Sequence, residues 1–390
     1  MSVLYLRSAY LATMKIAIAH DYLTQFGGAE RVVLSLMRAF PEAPIYTTLY
    51  DPDTTFPEFR SADVRVSPLN KAGAIRGNHR LALPFLAPVS SRINIDADVV
   101  IASSSGWAHG FRTNGRKLVY CHSPARWLYL TDEYLGSHGA SSVIRPALAA
   151  LRPVLKRWDA QAAASADRYL ANSHVVQERI KHVYGLDSDV IFPPHRVDLD
   201  GSRELVPQIA DDWPDFHLLV SRLLPYKNVD HAIEAFNDLP EERLVVVGKG
   251  PLAAQLRSKA RANSLLLEGI PDAQLRWLYA NATALIAPSH EDFGLTVVEA
   301  AAFGTPALAL RAGGYLDTVE PGLSGYFFSH PKVADIADAV HRHRERPLDR
   351  DAVAAHARGF DEDAFIGRIR NEVDLLMAGA FADRKHPHPA

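Results

Sequence analysis

Residues 288–306, PSHEDFGLTVVEAAAFGTP, carry two glutamates at the junction of a predicted strand and a predicted helix. The strand ends near Ala287, Glu291 sits in the loop, and the helix begins at about Leu295. Glu299 then lies about one turn inside the helix, and Gly304 suits the position just past its end. Backbone N–H groups at Phe293, Gly294, Leu295 and Thr296 stand at the positive end of that helix, where they can hold an anion. Carboxylates accept hydroxyl hydrogen bonds well, so ribose and hexose are natural ligands for the glutamates flanking such an anion. Two glutamates at this spacing also arise by chance, and context has to decide.

Residues 220–229, VSRLLPYKNV, place Arg222 and Lys227 after another strand. That is the carboxyl edge of a sheet, where open α/β folds bind ligands. Two cations there would neutralise a diphosphate, the guanidinium by a two-point grip and the ammonium as a point charge. A solvated basic loop is the plainer alternative. VGKGP at 247–251 is a third strand-end turn and offers Lys249, and GIPD at 269–272 is a fourth, placed to edge onto a nucleobase.

The first half has its own strand-end groups. In HDYLTQFGGAERVVLSL, Gly27 and Gly28 let the backbone approach a ligand, and the helix that follows points its N-terminus at the same place. The third glycine of the dinucleotide-binding fingerprint is missing, and a tight turn alone would explain the pair. LVYCHSPARWLY at 118–129 carries His122 at a strand end. Cys121 and His122 are neighbours on an extended strand, so they face opposite sides and cannot form a nucleophile–base pair. A lone histidine in such a place is commonly structural. Arg126 and Trp127 follow on a loop that could line a second substrate, and Tyr129 reads as packing.

These positions need elements to hold them. Apolar β-branched runs alternate with helical patterns nearly throughout, which implies parallel sheets covered by helices on both faces. Strands are predicted at Lys15–Ala19, Ala43–Thr48, Val99–Ala102, Lys117–Tyr120 and Arg168–Ala171. A second series is predicted at Phe216–Val220, Arg243–Val247, Leu265–Leu267, Ala284–Ala287 and Ala307–Leu310. The alternation occurs twice, with a proline-rich break between Pro193 and Pro214. The expected division is 14–198 and 199–360, then a helix at 361–379 that could pack back on the first domain, and a disordered tail at 380–390. Met14 opens the first core strand, so residues 1–13 are read as standing outside the fold. His386 and His388 in the tail read as ordinary tail residues.

At 390 residues, the chain exceeds what one core usually fills. A net charge of -3 argues against general nucleic-acid binding, and the single cysteine excludes a disulfide framework or a cysteine-built zinc site. No run approaches the roughly 20 apolar residues of a bilayer span. The expected location is cytoplasmic, peripheral to the inner face of a membrane. The segment 70–92 mixes Lys71, Arg76, Arg80 and Arg92 with Leu and Phe, and 144–160 is a second basic helix candidate. Basic and apolar together suit an anionic membrane surface or a lipid-linked substrate, and a helix covering the core is the alternative for both.

Five motifs in order, SRLLPYKNVD, VVGKGP, EGIPD, the Glu-x-seven-Glu segment and GLSGYFF at 322–328, resemble the retaining glycosyltransferases of family four. That resemblance implies the GT-B fold, two Rossmann-like doubly wound parallel-sheet domains facing across a cleft. It implies that Glu299 binds the donor ribose and Glu291 a hydroxyl of the transferred sugar. Arg222 and Lys227 would hold the diphosphate, helped by backbone N–H groups around Gly294, Leu295 and Thr296. It further implies that the Gly27–Gly28 loop approaches the donor phosphate and that His122 positions the donor sugar. The HDYLTQFGGAERV opening is most similar to enzymes using GDP-mannose, favoured here over a UDP-sugar. The acceptor would be a glycan or a lipid-linked hydroxyl. Asp96-Ala-Asp98 resembles the metal motif of the other major glycosyltransferase fold, but it directly precedes a strand and reads as a turn, so no metal is expected. Nucleotide-sugar epimerases or hydrolases of the same fold, and a non-catalytic nucleotide-sugar-binding subunit, are the alternatives.

Overall fold

The computed structural model describes residues 14–73, 76, 83–129, 141–209, 213 and 215–379. Residues 1–13, Arg80, His386 and His388 lie outside them. The chain divides into two compact units, 1–193 with 363–390, and 194–362. The passage at Pro193–Pro194 comes before Asp198, where the sequence placed it. His195 explains the earlier crossing, since its N–H donates to Phe360 O within the second unit.

The first unit is built on seven parallel strands: β1 Ile16–His20, β2 Ile45–Thr47, β3 Val64–Val66, β4 Val99–Ser104, β5 Arg116–Cys121, β6 Arg168–Ala171 and β7 Asp189–Val190. Their order is β3-β2-β1-β4-β5-β6-β7. The central strand β4, VVIASS, is buried along its whole length, as a parallel strand covered on both faces must be. Ile18, Ile101 and Tyr120 face one side with the helix α1, Gly28–Ala39. Ala19, Ala102 and Cys121 face the other. Longer described helices of this unit are α2 Leu83–Ser90, α3 Ser141–Ala164 and α4 His174–Tyr184, and a single helical turn, Arg126–Tyr129, stands where the sequence implied a loop.

The second unit repeats the plan with β8 His217–Val220, β9 Leu244–Val247, β10 Ser264–Leu267, β11 Leu285–Ala287, β12 Ala307–Leu310 and β13 Gly325–Phe328. The order is β10-β9-β8-β11-β12-β13, again parallel. Its longer helices are α5 Val229–Asn237, α6 Ala253–Lys259, α7 Asp272–Asn281, α8 Leu295–Ala302, α9 Val333–Glu345 and α10 Arg350–Ala357, and a single helical turn spans Tyr315–Thr318. The last helix, α11 Glu362–Met377, returns to the first unit. Phe365, Ile366, Ile369, Val373 and Leu376 join the face of the first sheet that α1 covers. Arg370 caps the end of α1 through Ala39 O at 2.8 Å, and Glu372 meets the buried Arg168 at 2.9 Å. Each apolar side chain so buried contributes about 1.5–3 kcal/mol, which makes this helix integral to the core.

In both sheets the chain winds outward in opposite directions from one central pair, β1/β4 in the first and β8/β11 in the second. A crevice opens beyond the carboxyl ends of such a pair, where the flanking crossovers diverge. The short motifs in the sequence fall at these strand ends.

At the opposite end of β8, the His217 ring is buried against Phe236 and lies 3.7 Å from a Glu242 oxygen. Burial, reinforced by the nearby His343, lowers its pKa to about 3. The folded state therefore prefers neutral His217, while the unfolded chain takes up a proton below about pH 6.5. Stability from this group is intact above that pH and falls by about 1.4 kcal/mol per unit as pH drops towards 3. A His217→Phe variant should accordingly gain about 2 kcal/mol on wild type between pH 7 and pH 5, measured by urea denaturation. Parallel stability curves would overturn that reading.

Candidate functional site

In the second unit, the loop after β8 and the loop after β11 are tied together. Lys227 ends a single 3-10 turn, Pro225–Lys227, that follows β8. Asn228 comes next with φ +53°, and its side-chain amide donates to Pro288 O at 2.9 Å. That clamp fixes where the buried Lys227 can reach, and its ammonium ion-pairs with Glu291 Oε1. Ser289 Oγ donates to the same oxygen at 2.5 Å and lies 3.3 Å from the hydroxyl of Tyr315. Ser221, Pro288, Ser289, Glu291, Thr296 and Tyr315 line a small pocket here.

The helix end beside this pocket is shaped from below. Gly294 caps α8 at φ +93°, and a Cβ there would stand 2.5 Å from the Tyr315 ring, so only glycine fits. The N–H groups of Leu295 and Thr296 have no acceptor among the described residues. Glu291 O receives the N–H of Gly314 at 2.8 Å, so the Gly313–Gly314 turn after β12 supports the loop. Phe293 turns its ring inward against Phe360, leaving only its backbone for the loop. Glu299 is buried, and its Oε2 accepts the Tyr279 hydroxyl at 2.9 Å.

Two predicted cations stand apart from that pair. Arg222 is exposed and donates to the Tyr226 hydroxyl at 3.2 Å; it makes no described contact with Glu291 or Glu299. The Lys227 ammonium stands over the Tyr226 ring, so Tyr226 links the two basic residues. Lys249 is likewise exposed, and its contribution to the loop is a carbonyl that accepts Leu223 N–H at 3.0 Å.

The first unit gathers polar groups at the ends of β1, β4 and β5. Register places His20 opposite Ser103, and Ser103 opposite Tyr120, so His122 falls on the same face two residues on. Ser103 Oγ lies 2.8 Å from His122 Nε2 and 3.1 Å from His20 Nδ1. His20 Nε2 stands 3.9 Å from Glu30 Oε1, in the first turn of α1. Burial disfavours charge on His20, but Glu30 outweighs it and raises the pKa. Gly27 lies directly over that carboxylate; a Cβ there would fall 2.3 Å from Glu30 Oε2. Gly28 begins α1. Next to this row, Asp21 accepts the N–H groups of Trp107 and Ala108 at 3.0 and 2.6 Å and shapes the turn after β4.

Some expectations are corrected. Trp127 does not line an open loop: it is buried and stacked on Trp107 at 4.4 Å, held there by its apolar area. Asp98 accepts Lys15 N–H at 2.9 Å, and Asp96 pairs with Lys15, which accounts for both as the turn into β4. Tyr129 is more than packing, since its hydroxyl donates to the buried Asp159 at 2.9 Å. Sequence reading missed Glu30, Ser103, Ser289 and Tyr315. Glu30 and Ser289 each lie two residues from a position already singled out, Gly28 and Glu291, which was a local signal; Ser103, inside β4, and Tyr315, at the start of a short helix, had none.

Known proteins bear on these sites. Residues 26–200 match the family described as Glycosyltransferase Family 4, and residues 207–359 match Glycosyl transferases group 1. A D-inositol 3-phosphate glycosyltransferase of Actinosynnema mirum is 33% identical over 52% of this chain and 56% of its own. The chain thus spans little more than half the length of that relative. The alpha-1,3/1,6-mannosyltransferase ALG2 of Dictyostelium discoideum is 25% identical over 90% of this chain and 94% of its own. Among solved structures, Anabaena HepE in complex with UDP and glucose superposes with a TM-score of 0.66 at 18% identity, covering 93% of this chain and 99% of that one. Two parallel-sheet units, a glycosyltransferase match in each, and the fold shared with HepE lead to one conclusion: the chain belongs to the family-four glycosyltransferases of the GT-B fold.

Proposed function

We propose that this chain is a retaining glycosyltransferase that moves a hexose from a nucleotide-diphosphate sugar to a hydroxyl of a glycan or lipid-linked acceptor. The observation that carries this reading is the meeting of Lys227 with Glu291 beside the N-terminus of α8. A buried ammonium, two N–H groups without an acceptor among the described residues and a carboxylate suit a phosphate flanked by hydroxyls. Lys227, with Arg222 swinging in from solvent, neutralises the diphosphate, and Lys249 borders it. Glu291 receives a sugar hydroxyl and Glu299 the ribose, while Gly27 and Gly28 offer backbone to a phosphate and His122 contacts the sugar. The acceptor oxygen attacks the anomeric carbon as the bond to the diphosphate breaks, and the acceptor's proton passes to the departing diphosphate oxygen. Catalysis then rests on stabilising the charge that develops there, without a metal.

Mannose is favoured as the transferred sugar, supported by the likeness to ALG2, and GDP-mannose is favoured over a UDP-sugar. HepE holds UDP and glucose, so a donor panel has to include both nucleobases. Contact with an anionic membrane surface at the cytoplasmic side is supported by Phe85, Leu151 and Val154, which are large, apolar and exposed, and by the exposed Lys71 and Arg92. Among the described residues no helix is long and apolar enough to cross a membrane.

Calorimetry on a panel of nucleotide sugars, followed by nucleotide release with and without acceptor alcohols, tests the reading. The expected result is binding of one donor and release that depends on acceptor. Release without acceptor would indicate hydrolysis or epimerisation, and binding without turnover a non-catalytic subunit. Arg222→Ala and Lys227→Ala should each lower turnover about 100- to 1,000-fold; near-wild-type rates in either would remove it from the site.

The internal ion pair generates a second expectation. Glu291 occupies Lys227 before any phosphate arrives, so a bound diphosphate must take its place. Glu291→Gln should bind the free nucleoside diphosphate about tenfold more tightly, because a competing negative charge is gone, while sugar transfer falls. Weaker binding of the free diphosphate in that variant would show that Glu291 does not compete.

A further inference from the structure

The row of polar groups at the first unit's strand ends fixes more than position. His20 Nδ1 lies 3.0 Å from the carbonyl oxygen of Ser103 and 3.1 Å from its hydroxyl. A carbonyl has no proton to give, so Nδ1 must carry one; a bare lone pair there would face another at contact distance. Ser103 Oγ therefore accepts from His20, and its own proton is left for the nitrogen on its other side. That nitrogen is His122 Nε2, at 2.8 Å. An imidazole that accepts at Nε2 holds its proton at Nδ1.

Behind His20, Glu30 anchors the row. It is 1% exposed, one oxygen accepts the Gln25 amide at 3.0 Å, and the other has no hydrogen-bond partner among the described residues. A carboxylate buried this way requires a compensating charge, and His20 Nε2, at 3.9 Å, faces it. With Nδ1 already protonated by the Ser103 requirement, a second proton on Nε2 supplies that charge. The order from α1 to the end of β5 is thus carboxylate, imidazolium, hydroxyl, neutral imidazole.

We propose that Glu30, His20 and Ser103 are positioning residues that hold His122 as its Nδ1–H tautomer, making it a hydrogen-bond donor and not a proton acceptor. Any group that stands at Nδ1 is then an acceptor. On the reading under Proposed function, on which this clause alone rests, that group is a hydroxyl oxygen of the donor sugar. A neutral histidine side chain in water prefers the Nε2–H tautomer, so the fold holds His122 in its less common form, and Ser103 is the contact responsible.

The test is nitrogen-15 NMR of the histidine side chains in the full chain, with His122→Gln identifying the His122 signals. Wild type should show His122 with a protonated Nδ1 and an unprotonated Nε2. Ser103→Ala should shift it mainly to the Nε2–H form, and Ser103→Thr, which keeps the hydroxyl, should restore the wild-type pattern. Turnover in Ser103→Ala should fall about tenfold, the worth of one hydrogen bond, and recover in Ser103→Thr. A wild-type His122 protonated at Nε2, or a tautomer unmoved in Ser103→Ala, overturns the proposal. The wild-type spectrum decides even if the alanine variant does not fold. It needs no substrate, so the expected tautomer in a chain that turns over no nucleotide sugar would leave this row standing while the transferase reading fell.

Discussion

A lysine ammonium withdrawn from water requires an anion within reach, and the second unit is arranged around how Lys227 meets that requirement. The residue is 7% exposed at the end of a 3-10 turn, and Glu291 answers it from the neighbouring loop. Breaking such a pair by deleting one partner typically costs about 3–5 kcal/mol, because the remaining charge is stranded. The surrounding structure holds the two loops at this separation: Asn228 ties one to Pro288, Ser289 steadies the carboxylate, and Gly314 carries the carbonyl of Glu291. The ammonium is thus desolvated and held in place by a partner on the neighbouring loop.

Topology makes this placement possible. Each unit winds outward from a central parallel pair, so consecutive crossovers leave in opposite directions and the loops at the strand ends spread apart. Polar side chains gather there because the strands on either side are buried and almost wholly apolar. The first unit shows it most directly, since His20, Ser103 and His122 share a face through register alone. A slip of one residue in β4 would turn the Ser103 hydroxyl to the other face of the sheet, and in one direction would leave only the methyl of Ala102 between the imidazoles.

Much of this was readable from the chain, and the reasons differ by element. Fully apolar runs such as LVVV at 244–247 and VVIA at 99–102 announce buried parallel strands, and their limits fall within a residue or two of those observed. The strands Val64–Val66 and Gly325–Phe328 escaped because VRV is half polar and GYFF follows directly on a turn. At the site, spacing marked Glu291 and Glu299 as partners of one ligand. It could not show that Glu291 is already engaged by Lys227, since that contact depends on a positive φ at Asn228, sixty-odd residues away. Arg222 and Lys227 looked equivalent in sequence, but the 3-10 turn buries one and leaves the other in solvent. Trp127 misled for a related reason: its place after a strand implied a loop, and its stacking on Trp107 could not be seen locally.

The two units solve opposite electrostatic problems. One buries a cation and leaves its carboxylate partner partly exposed at a pocket wall. The other buries a carboxylate, Glu30, and sets an imidazole against it, passing the consequence through Ser103 to His122. In each, the group nearest the strand end is oriented by a partner beneath it and not by solvent. Orientation fixed at folding carries no reorganisation cost when a ligand's charge shifts, which is the condition under which hydrogen bonds and ion pairs stabilise a developing charge most strongly. Glu30 also accounts for Gly27 without reference to any ligand: a side chain there would collide with the carboxylate it covers.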